Sequence, residues 1–174
     1  MIFWHLGMTV LVARYVFRDP KMDLRWLMVG SLLPDVIDKP IGAVLLHETF
    51  GTHRLFAHAL IFPVALLVIA MLGTRRGSGL CRGALALVIG CFLHIVLDGV
   101  WTSPEAFLWP FLGVQFPRVA GSDLGTLLAD MVRSPLVWAG EIAGIGYLVY
   151  LWRKWLAAPG ALPQWVRDGR VGMG

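Results

Sequence analysis

Charged side chains are scarce in this chain. Only 15% of its 174 residues are Asp, Glu, Lys or Arg, and 57% are hydrophobic. An ordinary soluble domain has about 25% charged residues. The mean hydropathy of +0.71 therefore excludes a disordered chain, and it excludes a nucleic-acid binder with a broad basic face. We expect a polytopic membrane protein that contacts the lipid bilayer and no nucleic acid.

Cysteine is also rare. Cys81 and Cys91 lie ten positions apart in apolar sequence, and the chain has no CxxC motif. This excludes a disulfide-stapled secreted domain, so we interpret both as small residues that fill helix contacts. A basic segment before the first apolar run and a small-residue cleavage site are both missing. We therefore expect Met1 to begin the mature chain.

Five apolar stretches approach the length that a bilayer requires, about 20 residues for a helix. They are residues 2–17, 24–46, 55–73, 83–101 and 135–155. They predict an all-α transmembrane bundle of about five spans, formed by residues 1–156. We expect the second span to be interrupted between Pro34 and Pro40, because proline disrupts helical hydrogen bonding.

The remaining segments are predicted to lie outside the bilayer. Residues 102–134 are too polar to span, and Ser122-Asp123 is typical of a helix cap before a short amphipathic helix. We expect this segment to form a lid or rim on the outer surface. Residues 157–174 should form a cytoplasmic tail with little to pack against.

The distribution of basic residues predicts the orientation. Eleven of the fifteen Lys and Arg residues fall around residues 14–25, 75–82 and 153–170, on one side of a five-span bundle. The positive-inside rule places that side in the cytoplasm. We therefore expect a multi-pass protein of the cell (inner) membrane, with its N-terminus outside and its C-terminus cytoplasmic.

Two pairs of ionisable residues in apolar sequence predict a metal site. His94 and Asp98 are spaced i, i+4, so both project from one helix face. Asp35 and Asp38 are spaced i, i+3, and two carboxylates on one face repel unless a cation lies between them. The alternative for the second pair is a solvated helix end with Asp38 bound to Lys39.

The start of the third span adds further candidates. We expect His53 in the preceding loop and His58 one turn inside the span, with Arg54 and His58 on one face at i, i+4. Arg54 could hold a phosphate or carboxylate, or it could be an interfacial anchor. His5, one turn into the first span, could complete the ligand set.

Two glutamates are candidates for a general base. Glu105 follows the fourth span, and Glu141 lies two turns into the fifth, where it could equally bond across helices. His47 and Glu48 are interpreted as a solvated loop pair, and the sequence leaves open whether they join the site. Gly140, Gly144 and Gly146 permit close helix contacts, within the chain or in a homo-oligomer.

The mixture of imidazole and carboxylate ligands indicates the metal. A divalent cation would neutralise the acids and accept neutral imidazoles. Zinc is favoured, manganese is the alternative, and the number of acids allows one or two ions. The predicted metal ligands are His5, Asp35, Asp38, His53, His58, His94 and Asp98, and the predicted catalytic residues are Arg54, Glu105 and Glu141.

Several sequence segments are characteristic in combination. They are GSLLPDVIDKP at 30–40, THRLFAHAL at 52–60, HIVLD at 94–98, and the Trp, Glu and Trp-Pro positions of 101–113. Together they resemble the family of membrane-bound, metal-dependent hydrolases, also described as LexA-binding inner-membrane hydrolases. The sequence departs from that family at Ala57 and Ala59, where hydroxyls are frequent, and in having two residues between Asp35 and Asp38.

The resemblance implies an integral membrane, metal-dependent hydrolase. The residues that match its motifs are Asp35, Asp38, His53, Arg54, His58, His94 and Asp98. A site that opens to the outer leaflet predicts a membrane lipid or another amphiphile as substrate. A lipid phosphoester is favoured, because Arg54 and Lys39, two of four outer basic residues, lie within the motifs.

Three other functions are compatible with the sequence. One is an acyl-lipid ester or amide hydrolase. Another is a non-enzymatic metal or proton transporter, since intramembrane carboxylates and histidines also mark ion pathways. The last is a structural protein whose polar residues only hold its helices together.

Overall fold

The structure, a computed structural model, describes residues 1–19, 21–121, 123–157 and 160–169, and these residues form helices and loops without strands. This confirms the predicted all-α class. The α-helices of the described residues are α1 (Ile2–Val12), α2 (Leu24–Lys39), α3 (His47–Phe50), α4 (Ile61–Gly73), α5 (Gly79–Leu97), α6 (Pro104–Phe107), α7 (Leu124–Arg133), α8 (Pro135–Leu151) and α9 (Ala161–Asp168). Three π-helical segments extend α1, α2 and α8: Ala13–Phe17, Pro40–Leu45 and Trp152–Leu156.

Helices α2 and α5 pack side by side and run in the same direction. A Cβ atom added at Gly30 would lie 2.1 Å from the carbonyl oxygen of Leu87, and one at Gly90 would lie 2.2 Å from that of Leu27. Only glycine permits this approach of two backbones. Gly83 lies against Trp26 and His94 bonds to Ser31, so the contacts advance together along both helices. Helices α2 and α5 therefore begin at one end of the bundle and finish together at the other.

Helices α1 and α8 form a second close pair. A Cβ atom at Gly7 would lie 2.6 Å from the backbone of Gly144. The side chain of Glu141 joins the two helices, because its Oε2 accepts a hydrogen bond from the amide of Phe3 at 2.9 Å. That bond satisfies one of the free amides of the first turn of α1. It matches the alternative in which Glu141 bonds across helices.

Two segments are long and apolar enough to cross a membrane, Gly79–Leu97 and Pro135–Lys154. Two other apolar helices, Ile2–Phe17 and Ile61–Gly73, are shorter. These segments correspond to four of the five predicted spans. The five-span count itself stays a prediction.

The predicted interruption of the second span is wrong, because α2 continues through Pro34 as far as Lys39. Proline removes one backbone donor, and helices at membrane depth tolerate this where local π-type adjustment and neighbouring helices compensate. At Pro40 the hydrogen bonding changes to the π-helical pattern, which continues to Leu45.

The third predicted span begins later than expected. His58 belongs to a 3₁₀ turn, Phe56–His58, and α4 starts only at Ile61. His58 therefore precedes the helix and does not lie one turn inside it. The expectation that Arg54 and His58 share a helix face is wrong for the same reason.

The segment between α5 and α8 lies against the end of the bundle where α2 and α5 finish. The amide of Leu60 donates to the carbonyl of Phe107, and the amide of Val119 donates to that of Gly51, both at 2.8 Å. An aromatic cluster covers this end: Phe50, Phe56, Trp109 and Phe116. Asp123 caps α7 as predicted, and Ser122 lies outside the described residues.

The described part of the tail does find a partner, contrary to expectation. Helix α9 lies against the start of α2, where the amide of Leu24 donates to the carbonyl of Gly169 at 2.8 Å. Trp165 packs beside the buried cluster that contains Val10, Leu27 and Leu151. The tail thus closes the end of the bundle where α2 begins.

Candidate metal site

Four side chains converge at the end where α2 and α5 finish. One ligand atom from each of Asp35, His58, His94 and Asp98 lies within 4.8 Å of the others. Asp35 comes from α2, His94 from α5, Asp98 from the C-cap of α5, and His58 from the 3₁₀ turn before α4. These are four of the seven predicted ligands, and they come from three separate parts of the chain.

The orientation of both central histidines is fixed by their outer nitrogens. Nδ1 of His94 donates to the carbonyl oxygen of Ser31 at 2.6 Å. Nδ1 of His58 donates to Oδ2 of Asp38 at 2.8 Å. A carbonyl and a carboxylate accept, so both bonds place a proton on Nδ1, and the neutral ring then presents the lone pair of Nε2 to the cluster. This is the tautomer that a metal-binding imidazole needs.

Asp38 stands behind His58 and is fully buried. Its carboxylate accepts hydrogen bonds from the backbone amides of Leu55 at 2.7 Å, Ala57 at 3.2 Å and His58 at 3.1 Å, in addition to the ring bond. With both oxygens occupied in this way, Asp38 orients the turn that carries His58. It lies outside the group of four that converge.

Asp35 faces the cluster from the opposite side of His58. Its Oδ1 lies 3.4 Å from Nε2 of His58 and 3.6 Å from Nε2 of His94. Its Oδ2 accepts from Nζ of Lys39 at 2.5 Å. The alternative in which Asp38 binds Lys39 is therefore wrong, because Lys39 forms an i, i+4 pair with Asp35.

Asp98 links the cluster to His5 and Arg54. Its Oδ1 lies 3.0 Å from Nε2 of His5, and its Oδ2 lies 3.8 Å from Nε2 of His58. Arg54 donates to Oδ2 at 3.2 Å and to the Asp98 carbonyl at 3.1 Å. His5 also stacks its ring on His94, with the ring centroids 4.1 Å apart. His5 thus lies at the edge of the cluster.

Inside the cluster, hydrogen-bond acceptors face one another with no donor between them. Nε2 of His58 and Nε2 of His94 lie 3.3 Å apart, although both rings hold their protons on the outer nitrogen. His5 repeats the pattern, because its Nδ1 donates to the carbonyl of Met1. Among the described residues, Oδ1 of Asp35 and Nε2 of His5 are buried and make no hydrogen bond of good geometry. Their nearest polar neighbours are Nε2 of His58 at 3.4 Å and Oδ1 of Asp98 at 3.0 Å. A cation at the centre would satisfy the lone pairs of Asp35, His58 and His94.

The spacing of the nitrogens suits zinc. Two nitrogens bound to tetrahedral zinc at about 2.0–2.1 Å lie roughly 3.3–3.4 Å apart. The observed 3.3 Å between His58 and His94 falls in that range. The side chains of these two histidines are 1% and 0% exposed, and those of Asp35 and Asp98 are 13% and 15% exposed. The donor set is therefore largely dry but open on the side of the carboxylates.

Other predicted site residues lie outside the converging group. His53 is half-buried in the loop, as expected, and burial together with the positive charge of Arg54 lowers its pKa to about 4. Glu105 is exposed on α6 and forms no ion pair with any residue that the structure describes. Oε1 of Glu141 is buried and has no partner within the described part of the chain. His47 and Glu48 form the first turn of α3, outside the cluster.

Two features of the site were not apparent in the sequence. The carbonyl of Ser31 orients His94, and the amides of the 51–58 turn bind Asp38. A carbonyl partner has no side-chain signature, so no sequence signal identifies it. The turn has no sequence signal either. Asp38 and His58 are twenty positions apart, so no helical spacing links them, and only the structure shows that they are in contact.

Comparisons with known proteins identify a family. Searches of curated proteins and of solved structures find no match to this chain. A family model described as YdjM inner membrane protein matches residues 1–160 and therefore includes every residue of the cluster. The match confirms the predicted membrane character and supports an inner-membrane location. The chain belongs to the YdjM inner membrane protein family.

Proposed function

We propose that this protein is a membrane-embedded, metal-dependent hydrolase of lipids or other amphiphiles. The observation that carries the proposal is the set of buried acceptors that face each other without a donor between them. Asp35, His58, His94 and Asp98 would hold the cation, zinc before manganese. His5, 3.0 Å from Oδ1 of Asp98, would add a ligand at the edge of the site, and the enlarged donor set would hold one or two ions.

The surroundings of the cluster favour an anionic, amphiphilic substrate. Arg54 is one-third exposed, and its buried Nε has no hydrogen-bond partner among the residues that the structure describes. A guanidinium in this position can hold a phosphate oxygen. At the same end of the bundle, a cavity of about 500 Å³ is lined by Phe50, Phe116, Arg118 and their neighbours. A mixed apolar and basic cavity suits a lipid phosphoester better than a soluble ester.

The reaction requires little from the chain beyond binding and proton transfer. Water adds its oxygen to phosphorus, the bond from phosphorus to the alcohol oxygen breaks, and one proton passes from water to the departing alkoxide. A bound divalent cation supplies Lewis acidity, which makes water acidic enough to attack near neutral pH. Of the two predicted bases, Glu141 is favoured over Glu105, because it is partly buried and keeps Oε1 unpartnered.

The metal content of the purified protein tests this proposal. We expect the wild-type chain to retain about one or two equivalents of zinc in detergent. His94→Ala and Asp98→Ala should each lose most of it, because each removes a ligand. His47→Ala and Asp130→Ala remove the same side chains outside the cluster and should leave the metal content unchanged.

A hydrolysis screen then separates the activities. Phosphate or phosphoalcohol release from lipid phosphoesters, abolished by chelator and restored by zinc, is the expected outcome. Fatty-acid release would identify an acyl-lipid hydrolase instead. Full metal content in both ligand variants, with unchanged melting temperatures, would overturn the metal site.

A further inference from the structure

A basic cleft lies at the end of the bundle opposite the metal site. It has a volume of about 480 Å³, and the charged residues that line it come from the starts of α2 and α5 and from α9. Those charged residues are Lys21, Asp23, Arg25, Arg82, Arg167 and Asp168. Arg82 and His94 are twelve positions apart on α5, which corresponds to about 18 Å along the helix axis. The cleft is therefore a separate site.

Two of the four cations in the cleft are already neutralised. Arg25 binds Asp23 at 2.7 Å, and Arg167 binds Asp168 at 3.1 Å. Lys21 and Arg82 are exposed, and neither side chain has an acidic partner among the residues that the structure describes. The cleft thus has an excess of two positive charges, and no acidic side chain of the described residues balances them.

An apolar groove continues from the cleft along the helices. It has a volume of about 300 Å³ and lies between α2, α4 and α5. Its apolar lining includes Leu66, Ile69, Ala70 and Leu87. Trp26 and Leu80 line both the cleft and the groove, so the two share a wall. A tryptophan at such a boundary is typical of the membrane interface.

We propose that this cleft and groove together bind one anionic phospholipid of the cytoplasmic leaflet. The phosphate lies between Lys21 and Arg82, and one acyl chain lies in the groove beside Trp26. Charge complementarity selects an anionic headgroup, and the continuous apolar groove selects a lipid over a free anion. The bound lipid lies between α2, α5 and α9, so it stabilises the docked tail helix.

Native mass spectrometry of the full chain in detergent tests the headgroup. We expect dioleoyl phosphatidylglycerol to bind at one equivalent and at least about tenfold tighter than dioleoyl phosphatidylcholine. Lys21→Gln with Arg82→Gln should weaken phosphatidylglycerol binding by about 30-fold, given about 1 kcal/mol for each basic residue. Arg75→Gln with Arg76→Gln is the matched control, since both residues are exposed at the same end but outside the cleft.

The outcomes are distinct. Equal losses in the cleft variant and the control would show general attraction to anionic lipid and would overturn the proposal. So would displacement of phosphatidylglycerol by an equimolar amount of inorganic phosphate, which would assign the cleft to a free anion. His94→Ala should bind the lipid normally, because the metal site lies at the other end of α5.

The groove has its own test. Ala84 is half-buried in the groove wall. Ala84→Phe should therefore fill the groove and weaken the binding of dioleoyl phosphatidylglycerol by about tenfold. Ala143→Phe on the exposed face of α8 is the control and should not change binding. In the wild-type chain, dihexanoyl phosphatidylglycerol should bind more weakly than the dioleoyl lipid. Equal affinity for the two chain lengths would exclude the groove as an acyl-chain site.

Discussion

Asp38 shows how far sequence spacing alone determines a residue's role. The i, i+3 spacing correctly predicts that Asp35 and Asp38 share one face of a helix. It does not predict that His58 lies between them, with Nδ1 on Asp38 and Nε2 toward Asp35. That position depends on a non-helical turn whose amides bind Asp38. Two acids on one face of a helix therefore have different functions: Asp35 faces the cluster, and Asp38 orients His58.

Asp38→Asn is expected to weaken zinc binding without removing a ligand. The amide cannot accept all of the bonds that the carboxylate accepts, so His58 loses the partner that fixes its tautomer. Loss of such an outer partner costs about 10–100-fold in metal affinity. Competition with a chromophoric chelator measures this. Asp130→Asn, an exposed change of the same kind, should leave affinity unchanged, and wild-type affinity in Asp38→Asn would exclude the orienting role.

The helices themselves follow from the sequence, and their boundaries do not. Apolar runs correctly predict α1, α5 and α8, and the HxxxD spacing correctly places His94 and Asp98 on one side of α5. The proline signal was wrong at Pro34, where α2 continues, whereas α2 does end before Pro40, where the hydrogen bonding becomes π-helical. Tertiary contacts decide these boundaries, and a single sequence does not encode them locally.

Gly30→Ala should destabilise the pair of helices that carries the site. A Cβ atom would lie 2.1 Å from the Leu87 carbonyl oxygen, and the backbones would have to separate. Overpacking of this kind costs about 1–3 kcal/mol or more, which exceeds the gain of about 1 kcal/mol from the helix propensity of alanine.

We expect a lower free energy of unfolding by about 1–2 kcal/mol in a detergent denaturation series, and weaker zinc binding. Gly146→Ala is the control, since nothing lies within 4 Å of its added Cβ. That change should be neutral or stabilising. Equal effects of the two substitutions on the free energy of unfolding would show that the close α2–α5 contact does not determine stability.

Asp23 supports the docking of α9 on α2 through Arg25, which it orients and which donates to the carbonyls of Val166 and Arg167. Burial raises the pKa of this carboxyl, but the hydrogen bonds and charge of Arg25 outweigh it and hold the pKa below its usual range. A depressed pKa stabilises the folded start of α2, with Arg25 held in place for α9, above the unfolded pKa of about 3.9. This contribution is lost as pH falls through the lower folded value, and the support that Arg25 gives to α9 is lost with it.

Hydrogen exchange of residues 161–169 measures this docking. We expect constant protection, after correction for intrinsic rates, from pH 7 to about 5, and a loss below about pH 4. Asp23→Asn should raise exchange about tenfold at pH 7, because a charged hydrogen bond contributes at least about 1.5 kcal/mol. Its exchange should then show little pH dependence. Unchanged protection in Asp23→Asn would show that Trp165 packing alone holds the helix.

Across the whole molecule, the polar groups are separated between two ends. The buried histidines, Asp35, Asp38 and Asp98 lie where α2 and α5 finish, and the basic cleft lies where the same helices begin. The sequence predicts this separation directly. The prediction needs only the order in which basic and acidic segments follow one another along the chain, without any helix boundary. A carrier needs ionisable groups along a continuous path, so separation favours an enzyme over a transporter.

The orientation of the bundle determines which leaflet each site faces. The basic end should be cytoplasmic, since eleven of the fifteen Lys and Arg residues belong to its segments. A green fluorescent protein fused to the C-terminus should therefore fluoresce. Alkaline phosphatase fused after residue 76 should be inactive, and the same enzyme fused after residue 121 should be active, because that segment covers the metal-site end. The reverse pattern would place the metal site at the cytoplasmic leaflet and the basic cleft outside, and both lipid assignments would then exchange leaflets.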